Sequence, residues 1–473
     1  MVNKYLYINT IGCQMNVYDS ERIAAGLTGL GYQQTSLVEQ ADLVIVNTCT
    51  IRAKAEQKAF SFLGRLARLK KKKPGIILGV GGCVAQQEGE KILSRAPHMD
   101  LVFGTRAIER LPGLIRKIEQ THCRIVDVEM TKGLERLPVA TDVATDSQVS
   151  AFVTIMRGCD NFCSYCVVPY VRGRETSRHP EDIITEIRQL VRSGVREVTL
   201  LGQNVNSYGK KEGLPSFAQL LEYTSTVEGL LRIRFTTSHP KDFGTALIDA
   251  FRTNEKLCDH IHLPVQSGSN RVLKRMNRKY TRQLYLDKIA RLRDTCPSVA
   301  ITSDMIVGFP GETRIDFDDT LELMEMAQFD GLFAFMYSDR PNVPAARFGD
   351  KVPEQEKKRR LEILFEQQEH YTRKKNRALV GSIQTVLAEG ISKKQSSGPL
   401  VLKDSPVQWT GRTSGNKIVN FCRNESPQSR NKIIPGQLVD VKIEKAYAHS
   451  LWGKPVGTET ETDGLKGEKS YAA

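Results

Sequence analysis

Ala151-Phe-Val-Thr-Ile-Met156 runs without a break into Arg157-Gly-Cys-Asp-Asn-Phe-Cys-Ser-Tyr-Cys166, so a strand-like apolar run delivers Cys159, Cys163 and Cys166 in a CxxxCxxC spacing. Four-iron clusters are normally held by four cysteines; a tight loop offering three predicts a cluster with one iron left open to a substrate or cofactor. Zinc would need a fourth ligand, and neither His179 nor any other nearby residue completes a tetrahedron at a usual spacing. Nor do three cysteines within eight residues, interrupted by Asp160, Asn161 and Ser164, read as the buried thiols of a core strand.

Downstream, the strand-and-helix unit that begins here recurs. Pro180 stands at a favourable first helical position, and Ile183, Ile184, Ile187, Leu190 and Val191 mark one apolar face that ends at Gly194. Strands are expected at 151–156, 197–201, 232–236, 260–264, 300–307 and 331–336, with helices between them. Six such units predict a partial (βα)6 barrel with its site at the carboxyl ends of the strands. Polar residues gather there in Gly202-Gln203-Asn204, Thr237-Ser238-His239-Pro240, Gln266-Ser267-Gly268-Ser269 and Gly308-Phe309-Pro310-Gly311-Glu312. These loops are the candidate contacts for a cofactor and a substrate. His239 and His262 read as structural histidines rather than acids or bases.

Upstream, the first 120 residues alternate strand-like runs at 5–9, 43–47, 76–80 and 101–103 with helical spacing at 20–30 and 53–69, which predicts a parallel sheet flanked by helices. Cys13, Cys49 and Cys83 each follow a strand by a few residues, and ligands of such sheets gather at the carboxyl ends of strands. A second three-cysteine cluster is therefore expected, with Gly12, Gly81 and Gly82 leaving room for it. Cys123, Cys258, Cys296 and Cys422 stand alone and read as small buried hydrophobes. Positions 52–73 carry nine Lys or Arg against the single Glu56, either a solvated helix end or a phosphate-backbone contact.

At 473 residues the chain is too long for one core, and its formal net charge of +14 favours an anionic partner such as nucleic acid. There is no signal peptide and no apolar run of membrane-spanning length, so a soluble cytoplasmic protein is expected. The segmentation reads as 1–122, a linker at 123–148, the barrel at 149–376, a small domain at 379–446 and a disordered tail at 458–473. In the small domain, short β-type runs at 383–388, 400–402, 417–421 and 438–443 predict a five-stranded antiparallel barrel. Residues 380–457 hold 11 Lys or Arg against five Asp or Glu, and Arg412, Asn416 and Lys417 form a candidate RNA-binding face.

CxxxCxxC with Tyr165 before its last cysteine resembles the signature of the radical S-adenosylmethionine enzymes. The resemblance implies that the methionyl part of S-adenosylmethionine takes the open iron, and that an electron from the cluster cleaves the sulfonium to a carbon radical. The run Leu-Leu-Gly-Gln-Asn-Val-Asn-Ser-Tyr-Gly at 200–209 resembles the family's motif beside the cofactor's amino-acid part, so Gly202, Gln203 and Asn204 join Tyr165 as implied contacts.

Gly12-Cys13-Gln14-Met15-Asn16, Asn47-Thr48-Cys49 and Gly82-Cys83 are similar to the N-terminal domain of the methylthiotransferases. That similarity implies an auxiliary 4Fe-4S cluster on Cys13, Cys49 and Cys83 and a radical-generating one on Cys159, Cys163 and Cys166. The C-terminal runs resemble a TRAM domain, and Ala448-His-Ser-Leu-Trp-Gly453 resembles the closing motif of one methylthiotransferase group. Together these imply addition of a methylthio group to C2 of N6-(dimethylallyl)adenosine beside the anticodon, with S-adenosylmethionine as both methyl donor and radical source. The implied partners are tRNA carrying N6-isopentenyladenosine, a reducing electron-transfer protein and a sulfur or cluster supplier, acting on a monomer. Sister groups acting on threonylcarbamoyladenosine in tRNA, or on an aspartate of a small-subunit ribosomal protein, are the alternative. Where the isopentenyl group shows Tyr-Ser-Pro-Arg-Pro-Gly-Thr, this chain has Tyr337-Ser-Asp-Arg-Pro-Asn-Val343.

Overall fold

The first sheet orders its parallel strands β2-β1-β3-β4-β5-β6: Lys4–Ile11 (β1), Tyr32–Gln34 (β2), Leu43–Thr48 (β3), Ile77–Gly82 (β4), Leu101–Phe103 (β5) and Ile125–Asp127 (β6). Every residue of β3 is buried, as a parallel strand covered on both faces must be. Side-chain alternation divides the core. Leu43 and Ile45 pack with Leu6, Leu101 and Phe103 under Gln14–Thr28 (α1) and Leu111–Thr121 (α5), which bring Ile23, Leu27 and Ile115. On the other face Val44 and Val46 join Leu78, Val80 and Val102 beneath Ala53–Lys72 (α2), Cys83–Glu88 (α3) and Lys91–Arg95 (α4), which bring Leu63, Leu66, Ala85 and Ile92.

All four expected strands are present. The two unforeseen ones, β2 and β6, are three-residue strands at the sheet's edges, where no sustained apolar run is needed.

The computed structural model describes residues 4–50, 53–130, 148–392, 407–423 and 432–456 and divides into two compact units, Met1–Gln368 and Glu369–Ala473. Most of the expected linker, the expected strand at 400–402 and the tail at 458–473 lie outside the described residues.

The barrel shares the first unit with the sheet. Its six parallel strands form two groups of three: Ser150–Thr154 (β7) with Glu197–Leu201 (β10) and Arg232–Phe235 (β11), then His260–His262 (β12) with Ala300–Val307 (β13) and Gly331–Met336 (β14). A parallel bridge from Ile233 to Leu257 leads from one group towards the other. The strand expected at 151–156 is in fact two. β7 stops at Thr154, and Met156–Arg157 (β8) pairs antiparallel with Thr176–Ser177 (β9), so a two-residue ribbon clasps the base of the cysteine loop.

In the second unit Ile383–Ile391 (β15), Val407–Thr413 (β16), Ile418–Arg423 (β17), Leu438–Ala446 (β18) and Leu451–Pro455 (β19) close a barrel around Val386, Val419, Phe421, Val441 and Leu451. The expectation of an antiparallel barrel holds for every pair but one. A short turn folds β19 back on β18, and this sets it parallel to β17 where the barrel closes. Among the described residues no helix is long and apolar enough to cross a membrane.

Candidate active site

The strand order of the first sheet reverses between β1 and β3, and the crevice at such a point is where open α/β sheets bind ligands. Register then decides which residues meet there. Ile11 is paired with Thr48, and Thr48 with Gly82, so β1, β3 and β4 end abreast and release Cys13, Cys49 and Cys83 along one line.

The three thiols interact. The hydrogen bond with Cys49 brings the Cys13 thiol down to about 6, against the effect of burial and with help from the nearby Arg172 guanidinium. Burial raises Cys83, opposed by Arg172, which hydrogen-bonds its sulfur. Cys13 is the N-cap of α1, and hydrogen bonds from the Met15 and Asn16 N–H groups favour its thiolate.

A buried amide lattice holds this arrangement. Asn16 Nδ2 donates to Asn47 Oδ1 (3.0 Å) and to the Thr48 carbonyl (3.1 Å), while its Oδ1 accepts from the Cys13 N–H (3.2 Å) and thiol (3.4 Å). The expected reason for the glycines needs correction. A Cβ at Gly12 would strike Asn16 Oδ1 (2.2 Å), at Gly81 the Phe103 ring (2.2 Å), and at Gly82, where φ is +89°, the Thr48 carbonyl (2.4 Å). These glycines make room for neighbouring protein groups rather than for a cluster.

The second set is local. Cys159, Cys163 and Cys166 lie on the loop that leaves β8 and returns to β9, closed by Cys159 N–H donating to the Gly173 carbonyl (3.2 Å). Gly158 sits at φ +79°, and a Cβ there would lie 2.1 Å from the Arg174 carbonyl. Burial pushes Cys159 up to about 11 and Cys166 up to about 12, and Cys163 adds to both shifts. Arg278, which is buried, donates to the Cys163 sulfur (3.5 Å), the Pro264 carbonyl (2.7 Å) and Tyr280 Oη (2.9 Å). Among the described residues no carboxylate pairs with Arg278. A buried cation without an anion is costly, and a group held by three thiolates supplies the negative charge this position lacks.

Among the described residues no three ligating side chains close on one point as a single-ion site requires. A cluster spreads its ligands more widely, because each cysteine reaches a different iron.

One segment joins the two sets. Val168–Val171 (α6) begins two residues after Cys166, and Val167 and Val171 pack against Cys83 and Val343. Arg172 then donates to Asp19 Oδ2 (2.8 Å) and reaches Cys83. The first sheet grips this turn through Thr105 Oγ1, which donates to the Val171 carbonyl (2.7 Å). The departing sequence at 337–343 seals the junction. Asn342 takes the left-handed φ of +64° that glycine adopts freely, Val343 packs on Cys83, and Ala345 N–H donates to the Ser164 carbonyl (2.9 Å). Asp339 accepts from Tyr337 Oη (3.0 Å) and pairs with Lys351.

Of the four polar loops, two carry unused hydrogen-bonding groups. Gln203 Oε1 accepts from Gly158 N–H (2.5 Å), and its Nε2 is buried without a partner. Asn204 donates to Asp242 (2.8 Å), leaving its Oδ1 unpartnered, as are Asn206 Oδ1, Ser238 Oγ and His239 Nε2. Burial and surrounding cations lower His239 far below the ordinary histidine value, and its Nδ1 accepts from Lys241 N–H (3.2 Å), so Nε2 carries the proton. Five orphaned polar atoms at the ends of β10 and β11 fit a polar cofactor such as an amino-acid moiety.

The other two loops are satisfied internally. Ser269 Oγ donates to Asp316 (2.6 Å), Glu312 pairs with Arg360 (2.6 Å), and a Cβ at Gly268 would strike the Asp319 carbonyl (2.3 Å). Gly202 admits the Met156 side chain, which a Cβ would meet at 2.4 Å. Tyr165 packs in the apolar cluster of Val272, Met276, Phe309 and Tyr337. His262 is structural as expected, between Thr302 (3.1 Å) and Asp304 (3.3 Å).

In the second unit Arg412 donates to Asn416 Oδ1 (3.2 Å) and pairs with Glu389 (3.1 Å), while Lys417 closes the turn through its N–H to Thr413 Oγ1 (3.1 Å). The candidate RNA face is thus assembled, with part of its charge neutralised. Cys258 and Cys296 are buried as expected; Cys123 and Cys422 are only half-buried.

Three family models match the chain in order: Uncharacterized protein family UPF0004 over residues 5–104, the Radical SAM superfamily over 153–324 and the TRAM domain over 377–456. Among solved structures, the radical S-adenosylmethionine methyltransferase TsrM from Kitasatospora setae, with cobalamin and a [4Fe-4S] cluster bound, aligns with a TM-score of 0.53 at 12% identity over 73% of this chain and 74% of its own. That likeness is one of fold. Proteins named tRNA-2-methylthio-N(6)-dimethylallyladenosine synthase are similar along nearly the whole length. The one from Desulfosudis oleivorans is 56% identical over 96% of this chain and 97% of its own, and that from Geotalea uraniireducens 52% over 95% and 98%. Carboxydothermus hydrogenoformans supplies another at 45% over 96% and 99%. With such identity sustained from the first sheet to the last barrel, this chain belongs to the tRNA-2-methylthio-N(6)-dimethylallyladenosine synthase family.

Proposed function

We infer that this chain is a radical S-adenosylmethionine tRNA methylthiotransferase that adds a methylthio group to C2 of N6-(dimethylallyl)adenosine beside the anticodon. The observation that carries this reading is the juxtaposition of two three-cysteine sets through the single turn from Cys166 to Arg172, in a chain of this family. When bound, one 4Fe-4S cluster on Cys159, Cys163 and Cys166 supplies the electron that cleaves S-adenosylmethionine, and a second on Cys13, Cys49 and Cys83 supplies the sulfur.

The protein's own groups orient and insulate. Gln203 anchors the cysteine loop at Gly158 while its free Nε2, with His239 Nε2–H and Ser238 Oγ, offers hydrogen bonds to the cofactor's polar end. Val167, Val171 and Val343 keep water from the junction, which protects a radical from competing donors. Arg172 and Arg278 place one buried cation at each set. A low-potential electron-transfer protein, a sulfur or cluster supplier, and a cytoplasmic location complete the reading.

The test is mass spectrometry of nucleosides after anaerobically reconstituted protein meets S-adenosylmethionine, reductant and tRNA bearing N6-isopentenyladenosine. A methylthio product is expected. Cofactor cleavage with this nucleoside unchanged, but methylthio product on threonylcarbamoyladenosine, would move the chain to the sister activity.

A further inference from the structure

The basic helix α2 divides its cations between two tasks. Lys70 pairs with Asp100 (2.7 Å) and donates to the Ile76 carbonyl (2.6 Å), and Lys73, just beyond the helix, pairs with Asp42 (2.7 Å). These two tie the helix to the sheet, as a solvated and self-satisfied end would. Lys58 and Arg65 are exposed and have no carboxylate partner among the described residues. With Ser61 and Phe62 they occupy one stripe at i, i+3, i+4 and i+7, while Ala59, Leu63 and Leu66 on another stripe are buried.

That stripe forms one wall of a cavity of about 700 Å³, whose other wall is Asn9 and Ile11 at the carboxyl end of β1. Ile11 lies two residues before Cys13, so the cavity adjoins the end of β1 that releases the first cysteine. Phe62 is its one aromatic lining residue, held from behind by Tyr7 at 6.5 Å between centroids, and the Arg65 guanidinium lies 5.0 Å from the Phe62 ring.

We propose that this cavity is an RNA-binding subsite for a nucleotide neighbouring the base that is modified, with Lys58 and Arg65 on the phosphates and the Phe62 and Arg65 planes against the base. Charge complementarity selects the occupant. Two unpaired cations around an aromatic plane are the combination by which single-stranded nucleic acid is held, cations on the backbone and planar groups on the bases. The inference rests on the proposed tRNA reading and adds a contact surface in the first unit, apart from the small barrel. The position agrees with that reading, because Asn9 and Ile11 line the cavity at the end of β1 from which Cys13 departs.

The experiment is fluorescence anisotropy with the full-length reconstituted protein and an anticodon stem-loop RNA bearing N6-isopentenyladenosine, across a salt series. Lys58→Glu with Arg65→Glu is expected to raise Kd by at least about tenfold and to lower the slope of log K against log salt by about two. Lys71→Glu with Lys72→Glu, a charge-matched pair on exposed positions of the same helix, is expected to change Kd by less than about threefold. Iron content and S-adenosylmethionine cleavage report that the charge-reversed protein is folded and loaded. Unchanged Kd and slope in the Lys58 and Arg65 variant, or equal weakening in the control pair, overturns the subsite. If the unaltered protein binds no RNA, the tRNA reading itself fails and takes the subsite with it.

Discussion

The two cysteine sets reach the same stoichiometry by opposite routes. Cys159, Cys163 and Cys166 are neighbours in sequence, and a glycine in the left-handed region, a two-residue ribbon and one hydrogen bond shape their loop. Cys13, Cys49 and Cys83 are strangers in sequence whom strand register and a topological reversal bring abreast. Their electrostatics differ as well. The first set holds one thiol lowered by its neighbour beside one raised by burial, and an arginine already paired with Asp19; the second holds two thiols raised by burial and an arginine without a carboxylate among the described residues. A local site can bury its ligands and leave their charge to the incoming metal. A site gathered from distant strands needs internal partners to hold it before the metal arrives.

Removing one ligand from each set breaks the comparison most directly. Cys163→Ala is expected to abolish S-adenosylmethionine cleavage, whereas Cys49→Ala leaves cleavage and eliminates the methylthio nucleoside, both read by mass spectrometry. Each variant should lose about four of about eight irons per chain. Loss of cleavage in Cys49→Ala with the second set still loaded would end the division of labour.

The arginines sharpen the contrast in iron-free protein. Arg172→Gln takes the nearer cation from buried Asp19 and is expected to cost about 3–5 kcal/mol in urea unfolding. Arg278→Gln strands no carboxylate among the described residues and loses only hydrogen bonds to Cys163, Pro264 and Tyr280, about 1–3 kcal/mol. The reverse ranking would contradict the assignment of internal partners to the first set. Gly158→Ala, forced into a left-handed backbone against the Arg174 carbonyl, should cost about 1–3 kcal/mol and deplete iron from the second set alone.

The smallest effect is confined to a pH window. Burial raises Glu175, near Cys159, from 4.5 to about 7, although Ser207 hydrogen-bonds its carboxylate. Between those values the folded protein keeps a proton that the unfolded chain has released, so stability should fall as pH rises from about 4.5 to about 7 and then level. Glu175→Gln should flatten that part of the curve, measured by urea midpoints across pH. An unchanged profile would place the proton elsewhere.

Much of this site was legible from spacing. CxxxCxxC is local, and the barrel's strands recur with clear apolar runs. The three strand-then-cysteine repeats were enough to expect the second set. Arg172, Asp19 and Arg278 carried no such signal, because an arginine in a helix-end or turn sequence looks the same whether it is buried or solvated. Only packing put them beside sulfur. The polar loops were equally legible as loops but not as ligands. Gly268, Ser269 and Glu312 are consumed by neighbouring elements, whereas Gln203, Ser238 and His239 are not.

By itself, the amino-acid sequence determined that this protein has a sheet, a barrel and a small β-domain in series, and which six cysteines stand at the ends of strands. Periodicity and spacing are local properties, and they survive in a linear text. Tertiary structure alone decided that the two cysteine sets share the turn from Cys166 to Arg172, that one arginine faces each set, and that Lys58 and Arg65 remain available while Lys70 and Lys73 are paired. Those outcomes depend on register, strand order and the distances between charges far apart in the chain, which exist only once the strands are aligned.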